Sequence, residues 1–501
     1  MASLAAVMVV VTPAFAADHP HPSAASPLPP SPLEGRGEVL PNPSPFQGRG
    51  KGPAAEGGGK GEGDPRASTP APEAWQAPTL SITRYDEDWS DLADAEKRAH
   101  HWTGPFKYIP LGDDAWLSTG VEVRLRSESF RGNALGNAAS PDDGYLWTRA
   151  LPYADLHVGR VRAFAQPILA YAAGVRPANG PIDQTRADLL QGFAELDLGA
   201  ITLRGGRQML SLGTERLIGT RYGPNVPLAF DGVRGIVAVG RAKISLLAVA
   251  PVAPRLGTFD DRTSPSRRLW GAYAVLPGID LYYLGYRNRT ASFGTRTGRE
   301  LRHSFGARVH GASNGWHWNV EGVAQVGRFA DGPIAAWTLG TELGRTLPNL
   351  PFAPDAVLRF NVISGDGHAG DRRLGTFNAL FPKGKYFGEL SPVGPYNLIN
   401  LNPRIAGTVA RGVSASIAGS AYWRYATADG VYDIPGNLIR ATGTSRARFI
   451  GKQIEGTLAW QATAELELSA SLSFFEAGRF LRETGAPRPI RMIGLESNFR
   501  F

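Results

Sequence analysis

Residues 116–129 read WLSTGVEVRLRSES, and their side chains sort by parity. Leu117, Thr119, Val121, Val123 and Leu125 share one parity; Ser118, Gly120, Glu122, Arg124, Arg126 and Glu128 share the other. Successive strand residues point to opposite faces, so this segment is a strand with one apolar and one charged face. Three further segments behave the same way. Ala464, Leu466, Leu468, Ala470, Leu472 and Phe474 oppose Thr463, Glu465, Glu467, Ser469, Ser471 and Ser473. Val413, Ala415, Ile417, Ala421 and Trp423 oppose Ser414, Ser416, Ser420, Tyr422 and Arg424. Trp316, Trp318 and Val320 oppose His317, Asn319, Glu321 and Gln325.

The connections between such segments alternate in length. Short ones fall near HVGRV, LGAIT, GRAKI, LPGID, SNGWH and WQATAE. Long polar ones fall around residues 131–144, 173–187, 251–267, 366–395 and 426–445. Alternating short turns and long loops between strands of about ten residues predict an all-β fold, a transmembrane antiparallel up-and-down β-barrel of about 18 strands with its short turns in the periplasm. Lipid then covers the apolar parity and a wet lumen takes the charged one. The last segment, RMIGLESNFRF, places Ile493, Leu495, Phe499 and Phe501 on one face and Glu496, Asn498 and Arg500 on the other. A final amphipathic strand ending in phenylalanine resembles the signal read by the outer-membrane barrel assembly machinery, an expected partner together with the outer-membrane lipid.

The start of the chain has a different character. An apolar run from Leu4 to Val11 precedes AFA and Ala17, a small-x-small pattern that predicts a secretory signal peptide over residues 1–16, although a basic n-region is missing. Residues 17–80 are rich in Pro, Gly, Ser and Ala, with PSPLEGRGE and PSPFQGRGK as one short unit used twice; they read as a disordered tail. The HPHP at His19–Pro22 offers no further ligand, so no metal is expected. Residues 81–114 form a periplasmic lead-in, in which Tyr85–His101 has the charge pattern of one short surface helix or plug-like segment. The barrel is expected over residues 115–501. There is no cysteine, hence no disulfide and no thiolate metal site.

The chain carries 53 Lys and Arg against 45 Asp and Glu, and only eight of the basic residues are lysines. Arginine is a fixed charge that binds carboxylates in bidentate fashion. Parity puts Arg124, Arg126, Arg160, Arg162, Arg204, Arg302, Arg308 and Arg359 on the lumen face, with Gln208 beside Arg204, balanced by Glu122, Glu128, Glu195, Asp197, Glu321 and Glu342. Arg207 falls on the parity of Ile201 and Leu203. Either a bulge at Gly205-Gly206 turns it into the lumen, where it is counted with the path, or it lies above the lipid belt. Arg234 is equally ambiguous. A lipid-facing charge at mid-depth costs roughly 2–4 kcal/mol, which excludes that placement.

Residues 205–235, GGRQMLSLGTERLIGTRYGPNVPLAFDGVRG, contain Gly206, Arg207 and Gln208, then Gly213 with Arg216, Leu217 and Gly219, then Phe230, Asp231, Gly232, Val233 and Arg234. This order of motifs resembles the alginate export family. The upstream RYDEDWSDL and KYIPLG are also similar, so the resemblance spans residues 81–501. It implies an outer-membrane barrel that exports alginate, a polyuronate, through an arginine-rich lumen. Two functions follow: passive passage of an anionic polysaccharide, or a general or anion-preferring porin for small solutes. Selection by rings of fixed charge serves either. No enzyme is expected. The single Gly-x-Ser-x-Gly, Gly311–Gly315, joins two alternating strands, whereas a nucleophile elbow joins a strand to a helix. No cofactor and no nucleic-acid partner are expected; the positive charge is assigned to the lumen.

Overall fold

The computed structural model describes residues 78, 80–133, 135, 142–368 and 370–501. The expected signal peptide (1–16) and nearly all of the Pro/Gly-rich stretch (17–80) lie outside the described residues.

Eighteen strands close one antiparallel barrel. They are β1 (Ala115–Arg131), β2 (Asp143–Val158), β3 (Val161–Ala173), β4 (Arg186–Asp197), β5 (Ile201–Gln208) and β6 (Phe230–Val239). Next come β7 (Ala242–Ala253), β8 (Arg267–Leu276), β9 (Ile279–Phe293), β10 (Arg296–Ser313), β11 (Trp316–Phe329) and β12 (Gly332–Thr346). The last six are β13 (Asp355–Ile363), β14 (Leu398–Ala410), β15 (Val413–Arg424), β16 (Phe449–Gln461), β17 (Leu466–Ala477) and β18 (Ile490–Arg500). Each pairs with its neighbours in sequence, and β18 returns to β1 through Glu122↔Arg500 to Arg131↔Arg491. Closure removes both sheet edges, as lipid demands. The terminal Phe501 completes the seam: its N–H donates to the Val121 carbonyl at 3.1 Å. Two short strands, Ile109–Gly112 and Arg262–Thr263, extend the wall at β1 and β7.

The parity reading holds along the wall, and burial is inverted relative to a soluble protein. On β1, Val123 and Leu125 are 40% and 47% exposed, whereas Arg124 and Arg126, which alternate with them, are 2% and 3% exposed. The apolar atoms face lipid and the guanidinium groups are packed inside. Hairpins at Gly159–Arg160, Gly240–Arg241, Pro277–Gly278, Asn314–Gly315 and Arg411–Gly412 mark the short-turn end. The other end carries long connections, with two exceptions: β9–β10 and β11–β12 are joined there by only two residues each.

Two long connections do not stay outside. Residues 209–229 and 364–397 fold into the lumen, where Met209, Leu210, Leu217, Ile218, Phe377, Phe381 and Val393 are all buried. Neither stretch alternates with period two. Their apolar residues have no lipid face to occupy, so they pack on each other and on the inner wall.

Candidate functional site: a lumen constricted by two loops and a lead-in

The two inward loops meet by backbone pairing. Gly219 N–H donates to the Phe381 carbonyl at 2.8 Å, Phe381 N–H to Leu217 at 2.9 Å, and Lys383 N–H to Glu215 at 2.9 Å. Phe381 then stacks edge-on against Phe230 and Tyr286, with ring centroids 5.1 and 5.7 Å apart. These bonds satisfy backbone groups that the barrel interior would otherwise leave unpaired.

Wall arginines hold this assembly from one side. Arg124 donates to the carbonyls of Tyr222 (3.1 Å) and Pro224 (2.6 Å). Arg149, on the neighbouring strand, donates to the same two carbonyls at 3.0 and 2.9 Å and pairs with Glu122 at 2.6 Å. Arg126 reaches Gly223 at 3.2 Å while its Nε pairs with Glu128 at 2.7 Å. The Tyr222 hydroxyl closes the set on Glu122. Arg302 does the same for the second loop, bonding Glu300 (2.6 Å), Gln325 (2.8 Å) and the Thr376 carbonyl (3.3 Å). A planar guanidinium with five donors suits this task, because it can answer a carboxylate and carbonyls together.

Arg216 works in the opposite direction, from loop to wall. Its Nε donates to Glu321 at 3.1 Å, and its Nη1 to Asn361 at 3.2 Å and to the Tyr386 hydroxyl at 2.6 Å. Glu321 also accepts from Tyr282 (2.6 Å) and Thr214 (2.8 Å). One motif arginine thus links both loops to β11 and β13.

The lead-in packs inside the same wall, against β1 to β5 and Met209 of the first loop. Two single 3-10 turns, Arg84–Asp86 and Ser90–Ala93, carry Tyr85 and Leu92 into the barrel, where they are 3% and 1% exposed. Tyr85 packs edge-on against Phe164 and Phe193, and its hydroxyl donates to Met209 O at 2.7 Å. Arg162 donates to the Tyr85 carbonyl at 2.6 Å and pairs with Asp155 and Glu195. Lys107 Nζ donates to the Tyr153 hydroxyl (2.6 Å) and the Thr119 carbonyl (3.2 Å) and lies 5.1 Å from the Phe501 ring. Burial, then the nearby Arg84 charge, push its pKa down to about 7. Burial raises Glu87 in the same pocket, against the pull of Arg84. Within Tyr85–His101 both expectations find a counterpart: residues 85–92 enter the barrel, and Ala95–Ala99 form a short helix with no buried residue.

The remaining wall charges face the lumen. Arg234 faces the lumen and donates to Ser245 Oγ at 2.8 Å. Arg308 pairs with Asp280 (2.8 Å) and bonds Asn319 (3.0 Å); Arg359 pairs with Glu342; Arg404 approaches Asp355 at 3.9 Å.

Several expected lumen residues lie elsewhere. Arg160 and Asp197 are exposed at the short-turn end, where Asp197 N–H donates to the Arg160 carbonyl (2.9 Å) and the Asp197 carboxylate accepts from Gly199 N–H (2.8 Å). Parity assigns their face, but these strand ends run past the enclosed lumen. Arg207 is not turned inward. The β5 register is continuous through Gly205-Gly206, so Arg207 keeps the outer parity at the long-loop end of β5 and pairs there with Asp231 at 2.8 Å. Asp231 also accepts from Thr263, so residues 254–266 cover this pair. Gly206 and Gly232 are cross-strand partners with φ of +136° and +153°, and a Cβ on either would run into a carbonyl of the adjacent strand. Gln208 is buried at the top of β5. Asp188, Asp260 and Asp261 bring carboxylate oxygens within 4.8 Å of one another, with Arg207 3.6 Å from Asp188 supplying the positive charge. The Gly311–Gly315 match is the hairpin between β10 and β11, with Asn314 and Gly315 both at positive φ. Arg149, Tyr222, Tyr85 and Lys107 were not anticipated as site residues; the inward aromatics beside Arg149 (Tyr145, Trp147, Tyr153) were the available signal that something packs inside.

A sequence model of the alginate export family matches residues 115–489. No curated protein matches the chain. Among solved structures, a BenF-like porin from Pseudomonas fluorescens Pf-5 is similar at TM-score 0.54 and 11% identity, covering 77% of this chain and 98% of that one. Acinetobacter baumannii OccAB1 is similar at TM-score 0.53 and 11% identity, covering 79% and 99%. Pseudomonas aeruginosa OccK11 (OpdR) is similar at TM-score 0.50 and 13% identity, covering 79% and 99%. At these identities the likeness is one of fold.

Proposed function

The chain belongs to the alginate export family, and from that premise we propose that it is an outer-membrane diffusion channel for small anionic solutes. The observation that carries this reading is the filling of the lumen. Two inward loops and the lead-in occupy much of the barrel, and most wall arginines serve to hold them. The lumen-facing arginines that anchor nothing are only partly neutralised, above all Arg234 with a hydroxyl partner and Arg404 with its carboxylate at 3.9 Å. Fixed guanidinium groups replace part of an anion's hydration, and the interleaved Asp280 and Glu342 keep each site weak enough to release it. Charge in a confined path also concentrates the opposite ion until salt screens it.

The family match favours a second reading, passage of an anionic polysaccharide such as alginate. A polymer needs the loops to move aside, whereas a small carboxylate does not. Planar-bilayer recordings of the full chain distinguish the two. Reversal potentials under a salt gradient should report anion preference, and liposomes should swell with monomeric uronate more readily than with a neutral sugar of equal size. Current block by oligouronate at low concentration favours the polymer. Cation preference would overturn both readings.

A further inference from the structure

The outer face of the barrel carries a basic cluster for which the passage has no use. The register pairs Arg268 with Arg287, and Leu301 with both Arg287 and Arg328. Leu301 is 40% exposed, while Glu300 and Arg302 on either side of it are buried in the lumen, so this row faces outward. Arg289 and Arg299 lie one step nearer the long-loop end and are exposed. Among the described residues no carboxylate pairs with Arg287, Arg289, Arg299 or Arg328. Neighbouring like charges on a strand face repel one another, and nothing in the wall relieves them.

The cluster stands at a definite depth. From Val309 up to Leu301 the outward face of β10 is apolar apart from His303. That stretch rises roughly 26 Å along the strand, or about 20 Å of bilayer at a tilt of about 40°, close to the ~25 Å of an outer-membrane apolar band. The arginines therefore sit at the headgroup level of the outer leaflet. Below them the lipid face is hollow. Ala307, Gly322 and Ala324 form the floor of a groove of about 820 Å³ walled by Tyr283, Phe305 and Trp337. Small residues between larger aromatic ones leave a shallow, open recess whose surface is mostly apolar. Between groove and cluster, the Tyr283 hydroxyl meets His303 Nδ1 at 2.8 Å.

We propose that this face binds a phosphorylated glycolipid of the outer leaflet, with its phosphates among the arginines and its acyl chains in the groove. Guanidinium groups bind phosphate bidentately, and several converging on one headgroup recognise a multiply charged lipid rather than a zwitterionic one. The groove is open to the bilayer, so the occupant enters sideways and needs no route through the lumen. This site is independent of what the channel conducts.

The test uses the full chain in nanodiscs of zwitterionic phospholipid, titrated with bis-phosphorylated lipid A and with the same lipid after enzymatic removal of its phosphates. The phosphorylated lipid should bind at least about tenfold more tightly. An Arg287→Ser, Arg299→Ser, Arg328→Ser triple variant should lose most of that difference and remain heat-modifiable. Equal affinity of the unaltered protein for the two lipids overturns the proposal without recourse to any variant. An undiminished preference in the folded triple variant also overturns it.

Discussion

The guanidinium of Arg204 lies 4.0 Å from the centroid of the Tyr85 ring, and the same guanidinium is bound to Glu195 on the neighbouring strand at 2.6 Å. A wall arginine, aimed by a wall carboxylate, thus clamps a residue that precedes the barrel in sequence. Phe193 and Phe164 close the seat around the ring. Charge over an aromatic face in a dry pocket is worth about 2 kcal/mol, and removing a buried aromatic costs roughly 3–5 kcal/mol. Tyr85→Ala should therefore unseat the lead-in and raise single-channel conductance while the barrel stays heat-modifiable. Unchanged conductance in the folded variant would mean that residues 83–92 do not obstruct the passage.

Changing Arg124 and Arg126 to Ser should do more than lower anion preference. Both side chains hold the carbonyls of residues 222–224: losing Arg124 leaves Tyr222 and Pro224 to Arg149 alone, and losing Arg126 takes the donor from Gly223 and an ion-pair partner from Glu128. Breaking a buried, hydrogen-bonded charge set costs about 3–5 kcal/mol, enough to free one end of the first loop. Conductance should rise together with the fall in anion selectivity, read from reversal potentials. Arg359→Ser, whose partner Glu342 is on the wall and not on a loop, should shift selectivity alone. If the Arg124/Arg126 variant loses selectivity at constant conductance, these residues are free lumen charges and not loop anchors.

The wall was legible in the sequence because period-two alternation is local. Arg124, Arg126, Arg302 and Glu321 each announce their face through the residues on either side. Arg207 was legible in the same way: its outer parity is real, and the pairing with Asp231 that makes it tolerable lies in another strand. The inward loops were not legible. Nothing local says that Tyr222 and Pro224 meet Arg124 and Arg149, since those contacts join residues 73 to 100 positions apart. Tyr85 was hidden for a related reason. Its charged surroundings, Asp86 to Asp91, read as surface, and only the aromatic inner faces of β2, β3 and β4 show where it goes. Arg160 and Asp197 failed for the opposite reason: parity gives a face but not a height.

Arg216→Ala is expected to loosen the paired loops from β11 and β13. The side chain contributes bonds to Glu321, Asn361 and Tyr386, and Glu321 keeps Tyr282 and Thr214 when it is gone, so the barrel itself should survive. Residues 364–397 should become markedly more sensitive to limited proteolysis from the long-loop side, and channel current should become noisier. Arg216→Lys should not rescue either property, because a single ammonium cannot span three partners held by a planar fork. Full protection in the alanine variant would show that the Phe381 cluster alone holds the loops.

Lys107 makes the seat of the lead-in sensitive to pH, and the sign follows from linkage. Seated, its pKa is about 7; released into water, it returns to about 10.5. Between those values the released form holds a proton that the seated form lacks. Seating is therefore weakest near and below pH 7 and strengthens as pH rises toward 10.5, by up to about tenfold per pH unit. Glu87, whose pKa is raised by burial, acts with the opposite sign above its ordinary carboxylate value, where the seated form holds the extra proton. Recordings from about pH 7.5 to about pH 9.5 lie between the seated and released values of the lysine and stay below the ordinary range of tyrosine. Conductance should fall across this window. Lys107→Met keeps the aliphatic stem among Trp89, Tyr153 and Phe501 but removes the titrating amine. Its conductance should be low and flat over the same range. A wild-type conductance that does not change with pH, or a methionine variant that still follows the wild-type curve, would show that the lysine does not govern the seat.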